Sequence, residues 1–152
     1  MSVVYLAVGS VSGTAIAVGQ AVKAQLEAWG HTVVQDETPD VEGLNASGCD
    51  AVLICTATTG QGDIPANIIP FYVDLEARFP LQNGRPFGII SLGDSSYDTT
   101  FCQAGALFEE RFLELQGSQP VARLTINAME TITPDEDALF WLQAWQAAAL
   151  KG

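Results

Sequence analysis

Short runs of apolar, mostly β-branched residues alternate along the chain with segments whose apolar residues recur at helical spacing. A continuous apolar run is typical of a strand that is buried on both faces of a sheet. Five such runs are predicted as strands, and they cover residues 3–8, 32–34, 50–55, 86–92 and 121–126. The pattern therefore predicts five buried strands separated by helices.

The segments between these strands favour helices. The predicted helices cover residues 13–29, 65–79, 101–116 and 135–150. Residues 37–48 are loop-like and leave room for one short helix. Pro70 is expected to interrupt or kink the second helix, because proline lacks the N–H of a helical hydrogen bond. Thr133 is expected to cap the last helix, with Pro134 in its first turn.

Strict alternation of apolar strands and helices predicts an α/β domain whose parallel sheet is covered on both faces. The 152 residues suit one domain, residues 1–152. In such sheets ligands bind beyond the carboxyl ends of the strands. The loops after the first, third and fourth predicted strands are therefore the candidate site.

The first of these loops joins the first strand to the first helix and contains three hydroxyl side chains. Its candidate ligand-binding residues are Ser10, Val11, Ser12, Gly13, Thr14 and Ala15. Helix amino-terminal N–H groups and hydroxyls can hold an anion. The first basic residue is Lys23, which excludes a P-loop and leaves a monophosphate held by neutral donors. Ordinary capping of the helix is the alternative.

The loop after the third strand is rich in glycine and threonine. Its candidate residues are Thr58, Thr59, Gly60, Gln61 and Gly62. Glycine lets a flat ligand approach the main chain and lets a peptide turn its carbonyl towards that ligand. A plain glycine turn is the alternative.

The loop after the fourth strand places a tyrosine among polar residues. Tyr97 can stack on a planar ring there, and N–H groups around Gly93 can bind a ring edge. Asp63, Asp94 and Asp98 would disfavour negative charge on a ring that is bound there. A solvated acidic loop is the alternative.

Together the three loops resemble the FMN-binding motifs of flavodoxins and of the FMN domains of diflavin reductases. Residues 10–15 resemble the S-x-T-G-T-A phosphate loop, and residues 58–63 resemble T-x-G-x-G-D. Residues 92–97, followed by Phe101 and Cys102, resemble L-G-D-S-S-Y…F-C. Residues 124–127 and the helix with Trp141 and Trp145 further resemble short flavodoxins of the MioC type.

The resemblance implies a flavodoxin-like three-layer α/β/α sandwich, strand order 2-1-3-4-5 and one non-covalent FMN that carries electrons. It places the phosphate on residues 10–15, and one ring face and N5 on residues 58–62. It implies that the other ring face and the pyrimidine edge are contacted by Leu92, Gly93, Asp94, Tyr97, Phe101 and Cys102.

The chain departs from the family pattern in three ways. The second loop lacks an aromatic for the inner ring face, and residues 98–101 are one residue longer than usual. Ser12 replaces the usual threonine. We therefore expect FMN affinity and reduction potentials that differ from those of a typical member.

Charge limits the partners that the chain can bind. Six basic residues face eighteen acidic ones, for a net charge of −12, which excludes nucleic acid and anionic membrane surfaces as partners. The charge favours basic redox partners, such as a flavodoxin/ferredoxin-NADP reductase and acceptor enzymes, although solubility alone is an alternative. A monomer is expected. Neither a membrane span nor a basic leader segment is evident, so a cytoplasmic protein is expected.

Two other functions require residues that the chain lacks. A receiver domain would need acidic residues after the first strand, and a small phosphatase would need Cys-x5-Arg; the chain has neither. An FMN-dependent NAD(P)H oxidoreductase on the same fold stays open, as does a non-redox FMN binder.

The three cysteines lack metal or disulfide spacing. Cys55, Trp29, Trp141 and Trp145 are predicted core residues, and His31 is predicted to have a structural or surface role.

Overall fold

A computed structural model describes residues 2–10, 13–57, 64–93, 103–127 and 133–150. Five strands form one sheet of order β2-β1-β3-β4-β5, and all neighbouring strands are parallel. The strands are β1 Val3–Gly9, β2 Thr32–Asp36, β3 Ala51–Ala57, β4 Phe87–Gly93 and β5 Leu124–Asn127. The predicted fold class and strand order are therefore confirmed.

A helix follows each strand. The helices are α1 Gly13–Ala28, α2 Val41–Ser47, α3 Ile69–Arg78, α4 Gln103–Glu114 and α5 Pro134–Ala149. The short helix α2 lies within residues 37–48, which are predicted to be loop-like with room for one short helix. Asp40 caps it by accepting the Gly43 N–H at 2.6 Å, and Gly48 ends it in the left-handed region at φ 60°.

The helices cover both faces of the sheet because successive strand residues point to opposite sides. On β1, Val4, Leu6 and Val8 face the layer of α1 and α5, whereas Tyr5 and Ala7 face α2, α3 and α4. Each face has its own apolar core. The first contains Val18, Val22, Leu26, Trp141 and Trp145, and the second contains Phe71, Leu75, Phe108 and Phe112.

Three predictions about these elements were wrong. Pro70 does not kink α3, because the helix begins at Ile69 and the proline occupies its first turn, where no helical N–H is needed. Strand β5 begins at Leu124 rather than at residue 121. Trp29 is 37% exposed, because it follows the end of α1 instead of lying on its buried face.

No helix within the described residues is both long and apolar enough to cross a lipid bilayer.

Candidate functional site

The three candidate loops leave the sheet from neighbouring points along its carboxyl edge, the end at which the parallel strands finish. The strand registers pair Gly9 with Thr56, Ala57 with Leu92, and Gly93 with Asn127, so the carboxyl ends of β1, β3, β4 and β5 lie level. From β1 the chain moves outward to β2 and then crosses back to β3. The order therefore reverses between β1 and β3, which is where open α/β sheets bind ligands.

The first loop is described at Ser10 and from Gly13 onward, where α1 begins; Val11 and Ser12 lie outside the described residues. The Thr14 side chain is exposed, whereas Ala15 is buried and can offer a ligand only its main chain. The Ser10 N–H donates to Asn67 Oδ1 at 3.0 Å. Among the described residues of this loop, the N–H donors that can face an anion are therefore those of the first turn of α1.

Acidic side chains are distributed unevenly among the amino termini of the helices. The helices after the edge strands carry acids in their first turns, with Glu42 in α2 and residues 135–137 in α5. Those after the central strands, α1, α3 and α4, carry none. An amino-terminal acid compensates the helix dipole, so within the described residues the dipoles of α1, α3 and α4 are not offset by an acid in their own first turns, which favours an external anion there.

The end of β1 is closely packed against the segment that precedes α3. A Cβ on Gly9 would overlap the Ile68 side chain and would lie 2.8 Å from Thr56 Oγ1. Ile68 is fully buried, and the Thr56 hydroxyl donates to the Ala57 carbonyl at 2.8 Å. Glycine at position 9 thus allows the segment before α3 to lie directly against the beginning of the first loop.

The other two loops are described only at their ends. Leu92 is buried in the core beside α1 and α5, so it can offer a ligand only main-chain groups. Gly93 is half-buried at the end of β4. The predicted residues that lie outside the described part of the chain are Thr58, Thr59, Gly60, Gln61, Gly62, Asp63, Asp94, Tyr97, Asp98, Phe101 and Cys102.

Helix α4 is held close to the end of β4, immediately after the third loop. A Cβ on Gly105 would overlap the Ser91 side chain and approach Ile89 Cγ2 at 3.2 Å. The absence of a side chain at position 105 thus allows the first turn of α4 to lie against β4.

Asn67 is a residue of this edge that the sequence analysis missed. It precedes α3 and contacts the main chain at the ends of both β1 and β2. The available signal was a lone amide between Ile64 and Ile68, close behind the second candidate loop. A single asparagine before a helix is too common a feature to indicate such a position.

The fold and the helix amino termini at its carboxyl edge define a class of protein. This class comprises open α/β proteins that bind a phosphate-bearing ligand at the carboxyl ends of the central strands. The flavodoxin family model matches residues 6–141. The chain is 34% identical to protein MioC of Escherichia coli strain K12 over 95% of its own length and 97% of that protein. The chain therefore belongs to the flavodoxin family.

Two further relatives agree with this family. A solved cysteine-to-alanine mutant of a flavodoxin from Pseudomonas aeruginosa superposes with a TM-score of 0.91, at 37% identity, over 99% of this chain and 100% of that one. The sulfite reductase [NADPH] flavoprotein alpha-component of Bacillus subtilis is 32% identical over 89% of this chain, but the match spans only 22% of that longer protein. The resemblance to flavodoxins is confirmed.

As a flavodoxin, the chain binds FMN and functions in electron transfer. The described residues fit this cofactor. A helix without acids in its first turn and the exposed Thr14 hydroxyl suit a phosphate monoester. No lysine or arginine lies in residues 9–15, so the phosphate would be bound by neutral donors.

Proposed function

We propose that this protein accepts and donates electrons one at a time through an FMN bound beyond β1, β3 and β4. The observation that supports this position is the row of helices α1, α3 and α4, whose first turns lack acids. Bound FMN supplies the redox chemistry, and the chain binds it, orients it and limits its contact with water.

Each loop has a distinct role in this proposal. The phosphate lies on residues 10–15, where the amides of α1 and the Thr14 hydroxyl donate to it. Residues 58–62 contact one ring face and N5, and Tyr97 covers the other face. The main chain at Leu92 and Gly93 binds the pyrimidine edge, together with Asp94, Phe101 and Cys102. These roles rest on the motifs and on the common edge from which the loops leave.

We favour an electron carrier over an NAD(P)H oxidoreductase because the described part of the chain forms five strand–helix units and contains no further helix or strand that could build a nicotinamide site. The relative whose name includes NADPH is several times longer than the matched segment. The proposed partners are basic redox proteins, and the proposed form is a cytoplasmic monomer comprising one domain, residues 1–152. Light scattering on the purified protein tests the monomer.

The central experiment is an absorption spectrum of the purified protein, followed by reduction under anaerobic conditions. We expect a flavin spectrum, about one FMN released per chain on denaturation, and slow bleaching by NAD(P)H alone. Adding a flavodoxin reductase should make bleaching fast. A colourless protein that ignores added FMN would contradict cofactor binding, whereas fast bleaching by NAD(P)H alone would identify an oxidoreductase.

A further inference from the structure

The first strand loses its outer partner before it ends. Pairing of β1 with β2 stops at Ala7 and Asp36, whereas pairing with β3 continues to Gly9. Main-chain groups two residues apart point to the same side of a strand. Since the Ser2 carbonyl accepts from β2, the polar groups of Val8 and Ser10 face the side that β2 has left.

The carboxamide of Asn67 occupies that side. Its Oδ1 accepts the Ser10 N–H at 3.0 Å, and its Nδ2 donates to the Val8 carbonyl at 2.8 Å. The same Nδ2 donates to the Glu37 carbonyl, just past the end of β2, at 2.9 Å. One side chain thus replaces the missing strand and joins the diverging ends of β1 and β2.

Asn67 reaches this position from the connection between β3 and α3. The next residue, Ile68, is fully buried and packs over Gly9, so the segment is fixed on both sides of the carboxyl end of β1. Ser10 is the first residue of the proposed phosphate loop. Its position is therefore set by a segment that begins immediately after the proposed flavin loop, residues 58–62.

We propose that Asn67 is a positioning residue for the FMN phosphate. By binding both Val8 and Ser10, it fixes the direction in which the chain leaves β1 and hence where the amides of α1 meet the phosphate. This role rests on the proposed function. It predicts that replacing Asn67 lowers the affinity for FMN but not the affinity for riboflavin, which has the same ring system without the phosphate.

Apoprotein titrations with FMN and with riboflavin, followed by quenching of flavin fluorescence, test this role in the wild type, Asn67→Ala and Asn67→Ser. We expect affinity for FMN to fall at least about tenfold and affinity for riboflavin to change less than about twofold. The ratio of the two affinities is the decisive measurement, because general destabilisation would lower both alike. Asn67→Ser is used alone if Asn67→Ala does not fold.

Tyr5→Phe is the matched control. It removes a different hydrogen bond between β1 and the end of β2, from the Tyr5 hydroxyl to Asp36 at 2.9 Å, and should leave the ratio unchanged. An unchanged ratio in the Asn67 variants, or equal losses for both flavins, overturns the positioning role while the wild type still binds FMN. A wild type that binds no FMN overturns the proposed function as well.

Discussion

The thiol of Cys55 lies beneath the start of α1 and is fully buried. It donates a weak hydrogen bond to the Ala15 carbonyl, with an Sγ–O distance of 3.6 Å. Burial disfavours the thiolate and raises the pKa of Cys55 from 9.0 to about 12. The native state therefore requires a neutral thiol, whereas the unfolded chain does not.

This difference predicts how stability depends on pH. Below pH 9.0, the ordinary thiol pKa, Cys55 is neutral in both states; above it, only the unfolded thiol ionises until the pH approaches about 12. The free energy of unfolding should therefore fall in this window by up to about 1.4 kcal/mol per pH unit. Cys55→Ala should start less stable, because it leaves a small cavity, and should lack this contribution to the slope.

Urea denaturation of both proteins at several pH values between neutrality and about pH 10.5 measures the difference. Buried Tyr5 also has a raised pKa, but both proteins retain it, so its contribution cancels. Curves that stay parallel across this range would show that Cys55 titrates normally in the folded protein.

Single residues differ in how well their roles follow from the sequence. Cys55 is predicted to be a core residue and is fully buried, and His31 is predicted to have a structural or surface role. His31 Nδ1 accepts the Ser2 N–H at 3.1 Å, and its other ring nitrogen contacts Gln146 at 3.3 Å. Asn67 could not be predicted, because its role depends on where β2 diverges from β1, and that point belongs to the sheet rather than to the local sequence.

At the scale of elements, apolar periodicity predicted the five strands and the four longer helices and left room for the short α2, but it did not give all of their bounds. Strand β5 is the edge of the sheet and pairs only with β4, so its length depends on that partner rather than on its own apolar run. Val121 packs against the core without joining the strand. Burial and strand pairing are separate properties, and the pattern reports only the first.

The acid-free first turn of α1 predicts a conflict between stability and binding. An aspartate at position 14 would compensate the helix dipole and stabilise the apoprotein by about 0.3–1 kcal/mol. The same charge would repel the phosphate, so Thr14→Asp should weaken FMN binding by at least about tenfold. Thermal denaturation of the apoprotein and FMN titration measure the two effects.

Thr14→Asn is the control, since it matches the aspartate in size but carries no charge. It should bind FMN more tightly than Thr14→Asp, and the gap should narrow as salt screens the repulsion. Equal FMN affinities for the two variants would mean that the phosphate lies away from the amino end of α1.

At the scale of the whole molecule, the net charge of −12 is the property most relevant to a partner. Parallel strands place the amino termini of all five helices at the edge where FMN is proposed. The exposed acids at positions 135–137 therefore lie at that edge, whereas Glu27 and Glu114, near the ends of α1 and α4, lie at the opposite one. The effect of charge at the edge where FMN is proposed can therefore be measured separately from the effect of net charge.

Electron transfer to a basic acceptor, such as cytochrome c, should slow as salt rises, because screening shortens the reach of the attraction. Removing two charges at the FMN edge with Asp135→Asn/Glu136→Gln should lower the rate at low salt and flatten its salt dependence. Glu27→Gln/Glu114→Gln removes the same charge at the opposite edge, and it should change the rate at low salt and the salt dependence of the rate less. Stopped-flow measurement of the second-order rate constant across a salt series compares the three proteins. If both double variants behave alike, net charge rather than its placement steers the partner; if the wild-type rate is flat in salt, the charge serves solubility alone.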